Sequence, residues 1–169
     1  MLQKNDKGKI LFFRESVFKV AELIFNYPNK TFYLRLLEKE TGVSITAISE
    51  AIYELKKYDI VEIEKTSLTT NIKANLDSEA YCFYKRVFNL YRLEMYGFVQ
   101  DLKKAFNNPE SIVLFGSFAK GEDIEESDID ILIVTKNKEP KDFHTFLKTF
   151  QDILKRKINI LVLKSLETS

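Results

Sequence analysis

The chain has 169 residues, enough for one large domain or two small ones. Its single cysteine (Cys82) and single histidine (His144) exclude an internal disulfide and a Cys/His zinc site. With 45% hydrophobic and 30% charged residues the composition is globular, and a net charge of +1 leaves any nucleic-acid binding to local patches.

Residues 1–9 are polar and basic, and the apolar run at 10–13 is too short for a signal peptide or a membrane span. The protein is therefore expected in the cytoplasm, with no membrane partner. Val17, Val20, Ala21, Ile24 and Phe25 recur at helical spacing, predicting a helix over 14–27 that stops before Pro28. Thr31 can cap a second helix over 32–41, closed by Gly42, and Ser44 can cap a third over 45–58 with Ile48, Ile52 and Leu55 buried. Residues 60–64 alternate like a strand, 65–70 form a polar tip and 71–75 return. Three helices and a hairpin in this order resemble a winged helix-turn-helix domain, here over 1–76, with Thr41-Gly42-Val43-Ser44 as the turn. That resemblance implies DNA binding by Ser44, Thr46, Ser49, Tyr53 and Lys57 of the third helix and by Lys65 and Lys73 of the hairpin. Lys4, Lys7 and Lys9 could add grip on the backbone, whereas Glu50 and Glu54 repel phosphate. A solvated or protein-docking face is the alternative.

Residues 77–107 read as one long helix, forming a linking segment over 77–108. Tyr81, Tyr84, Phe88, Tyr91, Met95, Phe98, Leu102 and Ala105 alternate three and four apart, a heptad seam. Ala80, Phe83, Val87 and Leu90 widen it. The seam either packs on the flanking domains or joins two copies into a homodimer, with Gly97 as its weak point. Cys82 reads as a small helix-face hydrophobe and His144 as a solvated side chain.

After Pro109 the pattern becomes strand, helix, strand, helix, strand, with strands at 112–115, 129–134 and 158–163 and a last helix from about Pro140 to 155. Gly116-Ser117 follows the first strand, and a turn that opens a helix offers free backbone N–H groups to a phosphate. Ten residues separate Ser117 from Asp128, Asp130 stands two further on, and strand alternation points both carboxylates the same way. Paired carboxylates in an apolar run repel and are costly to desolvate, which a divalent cation relieves. A phosphate cradle beside metal-binding carboxylates suggests metal-assisted chemistry on a nucleoside triphosphate.

Gly116-Ser117, ten residues and Asp128-Ile129-Asp130, with Ala119-Lys120-Gly121 and Ser127 between, resemble the minimal nucleotidyltransferases, relatives of DNA polymerase beta and kanamycin nucleotidyltransferase. The match spans roughly 111–163, so the domain is set at 109–169. The fold class implied is α+β: a winged helix-turn-helix, a long connecting helix and a mixed sheet with helices.

The resemblance implies that Gly116, Ser117 and Lys120 hold phosphates and that Asp128 and Asp130 bind Mg²⁺. It also implies a third carboxylate on the neighbouring strand, where this chain has Asn159. An amide is neutral and cannot act as a base. Asp152, on the preceding helix, and Glu167, beyond the strand, are poor substitutes. Six residues follow Leu163, so recognition of the base is expected from the long helix, a dimer mate or a separate protein. Two functions stand: transfer of a nucleoside monophosphate from an NTP to a hydroxyl of a protein or small molecule, or a DNA-binding regulator whose degenerate domain only binds nucleotide.

Overall fold

A computed structural model describes residues 14–67, 69–137, 140 and 143–165; Lys4, Lys7, Lys9 and Glu167 lie outside them. The chain divides between Tyr81 and Cys82 into two compact units.

In the first unit, helix α1 (Glu15–Asn26) buries Val17, Val20, Ala21, Ile24 and Phe25, the face that its spacing predicts. The second helix starts later than Thr31 would place it. Phe32 and Tyr33 form a short strand, β1 (Phe32–Tyr33), and α2 (Leu34–Thr41) follows without a side-chain cap. Phe32 is buried and pairs with Ile72, so burial and main-chain pairing win over local capping. Gly42 ends α2 at φ +68°, with its N–H on the Glu38 carbonyl. Ser44 caps α3 (Ile45–Lys57), its Oγ accepting from the Ala47 N–H at 3.4 Å, a cap worth about 1 kcal/mol. Strands β2 (Val61–Lys65) and β3 (Thr70–Ala74) form an antiparallel hairpin with Ile63 opposite Ile72, and the sheet order is β1-β3-β2. Ile48, Ile52, Leu55, Ile60 and Ile72 are all buried in this unit.

The single helix expected over 77–107 is two helices, α4 (Glu79–Met95) and α5 (Phe98–Ala105). Gly97 takes φ +71° between them, a left-handed conformation that glycine adopts cheaply and that no helix can continue through. The seam is only partly buried. Tyr81, Phe88, Phe98 and Leu102 are inside, whereas Phe83, Val87, Leu90, Tyr91 and Met95 are exposed. Lys85, Asn89 and Arg92 are buried in their place because each finds a partner there. Lys85 Nζ donates to the Asp123 carbonyl and lies 3.4 Å from its Oδ2. Asn89 Nδ2 donates to the Phe118 carbonyl at 3.0 Å and to Asp123 Oδ1 at 2.8 Å. Arg92 donates to the Leu154 carbonyl at 3.2 Å.

The second sheet has the order β4-β5-β6, with β4 (Ser111–Phe115) antiparallel to β5 (Ile129–Thr135) and β5 parallel to β6 (Ile158–Lys164). A short helix, α6 (Gly116–Lys120), follows β4. A parallel pair requires a crossover, and α7 (Phe143–Leu154) supplies it. Ile129, Ile131 and Ile133 bury one face of β5 in a core with Phe98, Phe106, Phe143 and Phe150. Ring pairs at 4.8 Å (Phe98 and Phe150) and 5.0 Å (Phe106 and Phe143) each add about 0.5–1.5 kcal/mol beyond area burial. Among the described residues no helix is long and apolar enough to cross a membrane.

The Lys85–Asp123 pair ties α4 to the loop between α6 and β5. Lys85→Met leaves Asp123 as an uncompensated buried charge and should cost about 3–5 kcal/mol in urea unfolding at neutral pH. Burial, opposed by Asp123, holds the Lys85 pKa below its ordinary 10.5. The unfolded chain therefore binds the extra proton between the lowered pKa and 10.5, and this group makes stability rise with pH across that window. The stability of wild type minus that of Lys85→Met should rise as the pH approaches 10.5. A difference that shrinks would show that pairing with Asp123 outweighs burial.

Candidate functional site

Alternation along β5 turns Ile129, Ile131 and Ile133 into the core and leaves Asp130 on the opposite face. Asp130 is flanked in register by Phe115 of β4 and Asn159 of β6. Asp128 stands just before β5, where the Ile129 N–H donates to the Lys157 carbonyl at 2.8 Å and fixes the end of the strand. The Asn159 amide reaches both acids: Nδ2 lies 2.9 Å from Asp128 Oδ2 and 3.0 Å from Asp130 Oδ1. The two carboxylates thus lie on one side of the sheet, drawn together by a neutral donor. Lys157, two residues before Asn159, places Nζ 3.5 Å from the same Asp128 Oδ2.

The Gly-Ser turn meets the acids directly. Gly116 has φ +77°, and a Cβ there would sit 2.5 Å from Asp130 Oδ2. A side chain at this position would have to displace that carboxylate. Ser117 follows in α6, and its carbonyl accepts from the Glu122 N–H at 3.0 Å, which folds the chain back toward β5. Gly121 ends α6 at φ +77°, and a Cβ there would meet the Cys82 carbonyl at 2.1 Å. The loop is then pinned by buried Asp123 and by a turn in which Ser127 Oγ accepts from the Ile124 N–H at 2.9 Å. Burial raises the Cys82 thiol pKa, with Glu122 adding to it, which leaves the cysteine in its unreactive thiol form.

Gly116, Asp128, Asp130 and Asn159 are therefore close together. Lys120 points to solvent, with Nζ 3.9 Å from Glu122. Asp152 is exposed on α7. As a cation site the donors are two carboxylates and one amide, and among the described residues no group of three or more His, Cys, Asp or Glu gathers. Two carboxylates, completed by phosphate and water oxygens, suit one hard divalent cation. Sequence reasoning missed Lys157, although its two-residue spacing from Asn159 puts it on the same strand face. It also missed Lys85, Asn89 and Asp123, whose pairing is tertiary.

In the first unit Ser44, Thr46, Ser49, Tyr53, Lys57, Lys65 and Lys73 are all exposed, with Tyr53 at 71%. Ser44 spends its hydroxyl on the cap, Ser49 Oγ donates to the Ile45 carbonyl at 2.9 Å, and Lys73 lies 3.7 Å from Glu64.

Residues 99–169 match the family described as Polymerase beta, Nucleotidyltransferase, so this stretch, less than half of the chain, is a nucleotidyltransferase domain of that family. A Methanocaldococcus jannaschii protein named "Putative protein adenylyltransferase" is 38% identical over 60 residues, 34% of this chain and 60% of that protein. The chain thus spans about 60% of the length of the relative it matches. No solved structure matches at the same level of significance.

The contact between Gly116 and Asp130 can be tested by stability alone. Gly116→Ala should lose about 1–2 kcal/mol from left-handed strain, plus the cost of displacing Asp130. Asp130→Ala removes the clash, so in thermal or urea unfolding the double variant should lose less than the sum of the single losses. Strict additivity would show that the two residues do not touch.

Proposed function

We propose that the second unit transfers a nucleoside monophosphate, AMP by analogy with its relative's name, from MgNTP to a hydroxyl of a protein. The observation that carries this reading is the pair Asp128–Asp130, held on one strand face against the Gly116 backbone. Attack is in line: the acceptor oxygen forms a bond to the α-phosphorus, and the bond from that phosphorus to the pyrophosphate oxygen breaks. The backbone at Gly116 and Ser117 holds the terminal phosphates, and Lys120 can swing onto them from solvent. Asp128 and Asp130 would hold Mg²⁺, which would supply positive charge to neutralise the triphosphate and the departing pyrophosphate. Asn159 cannot take the acceptor's proton, which passes to water instead, so transfer is slower than with a carboxylate there.

The same amide favours a second reading, in which the site binds MgNTP without turnover and the chain acts as a regulator. For that role we propose that the first unit is a winged helix. Its order of helix, strand, helix, helix, strand, strand supports this, as does the exposed face of α3. Thr46, Ser49 and Tyr53 would read DNA while Lys57, Lys65 and Lys73 contact phosphates. The exposed row Phe83, Val87 and Leu90 on α4 supports a homodimer, which would suit two half-sites.

Incubation with α-labelled NTPs, Mg²⁺ and host lysate separates the two. Label on a macromolecule with wild type, absent with Asp128→Ala/Asp130→Ala, is the expected result, and Asn159→Asp should increase it severalfold. Label that persists in the double variant would refute the site. No label, with DNA retention lost in Thr46→Ala/Ser49→Ala/Tyr53→Ala, would establish the regulator instead.

A further inference from the structure

We propose that this site takes a single divalent cation and that the Lys157 ammonium provides the positive charge a second cation would otherwise bring. The proposal rests on the nucleotidyltransferase reading above and adds to it the metal count and a residue that grips phosphate.

The hydrogen bonds support a single cation. Asp128 Oδ2 is approached by two donors, Asn159 Nδ2 at 2.9 Å and Lys157 Nζ at 3.5 Å. Asp130 Oδ1 accepts from the same amide at 3.0 Å. Donor hydrogens therefore fill the side of the acid pair that faces β6, where a cation bridging to that strand would have to lie. The opposite oxygens, Asp128 Oδ1 and Asp130 Oδ2, remain for one ion, and Asp130 Oδ2 is the atom beside the Gly-Ser turn. Rotating the amide would offer an oxygen to a second ion, but no charge with it.

The charge balance agrees. Three carboxylates with two divalent cations carry one net positive charge. Two carboxylates, one ammonium and one divalent cation carry the same, so the field that meets a triphosphate is kept with one metal fewer. Lys157 can perform this role because its side chain is 68% exposed, and the flexible stem lets the ammonium move from Asp128 to a phosphate oxygen when nucleotide arrives.

Counting Mn²⁺ by electron paramagnetic resonance, with a saturating α,β-methylene ATP analogue, reads the stoichiometry without turnover. Wild type should hold one Mn²⁺ per chain. Lys157→Ala/Asn159→Asp, which restores a third carboxylate and removes the ammonium, should hold two. Lys157→Gln should keep one Mn²⁺ and bind the analogue about tenfold more weakly, the loss of one charge-assisted contact, with Lys157→Arg recovering most of it. Two Mn²⁺ in wild type, or unchanged analogue affinity in Lys157→Gln, would overturn the single-cation proposal while leaving the nucleotide site standing. Analogue binding that survives Asp128→Ala/Asp130→Ala would overturn the nucleotidyltransferase reading itself, and this proposal with it. Circular dichroism of each variant checks that it is folded.

Discussion

Two carboxylates two residues apart on one strand face repel each other, and the second unit is organised around holding them together. Bringing like charges close in a partly desolvated place is unfavourable unless donors or cations answer it. Here the answer in the protein itself is an amide. Asn159, in register with Asp130 on the parallel neighbour, donates to both acids. The arrangement depends on that register, which depends in turn on the α7 crossover and on the aromatic core beneath the sheet. A one-residue slip of β6 would turn Asn159 into the core and bring Ile158 or Ile160 opposite Asp130.

The surroundings of the pair extend the same logic. Gly116 lets the backbone approach Asp130 closely, and Gly121 lets the end of α6 lie against the α4 backbone. Between them and Asp128 runs a loop whose one buried charge, Asp123, is met by Lys85 and Asn89 from α4. A helix that reads as a linker is thus part of the second compact unit from Cys82 onward. Its polar residues, not its aromatic row, mark the face it presents to that unit.

Much of this was legible in the sequence where the signal was local. The strands of the second sheet alternate or run apolar, and the Gly-Ser turn and paired acids stand at fixed spacing on them, so their elements could be placed to within a residue or two. Asn159 was marked by its place in the last strand. The failures were tertiary. Phe32 reads as a helix start but pairs with Ile72. The heptad row from Tyr81 to Ala105 obeys its period, yet Gly97 breaks it, and Lys85, Asn89 and Arg92 take the interior because their partners lie 29 to 62 residues away in the chain. Periodicity cannot show that a lysine has a buried carboxylate waiting for it.

The central claim is that the acid pair beside the Gly-Ser turn is where nucleotide binds. Calorimetric titration of a non-hydrolysable ATP analogue, with Mg²⁺ and then with EDTA, into wild type and Asp128→Asn/Asp130→Asn tests it most directly. These isosteric changes remove the charges and keep the shape. The account predicts Mg²⁺-dependent binding to wild type and its loss in the variant. Binding of equal strength to both, or binding indifferent to Mg²⁺, would contradict it.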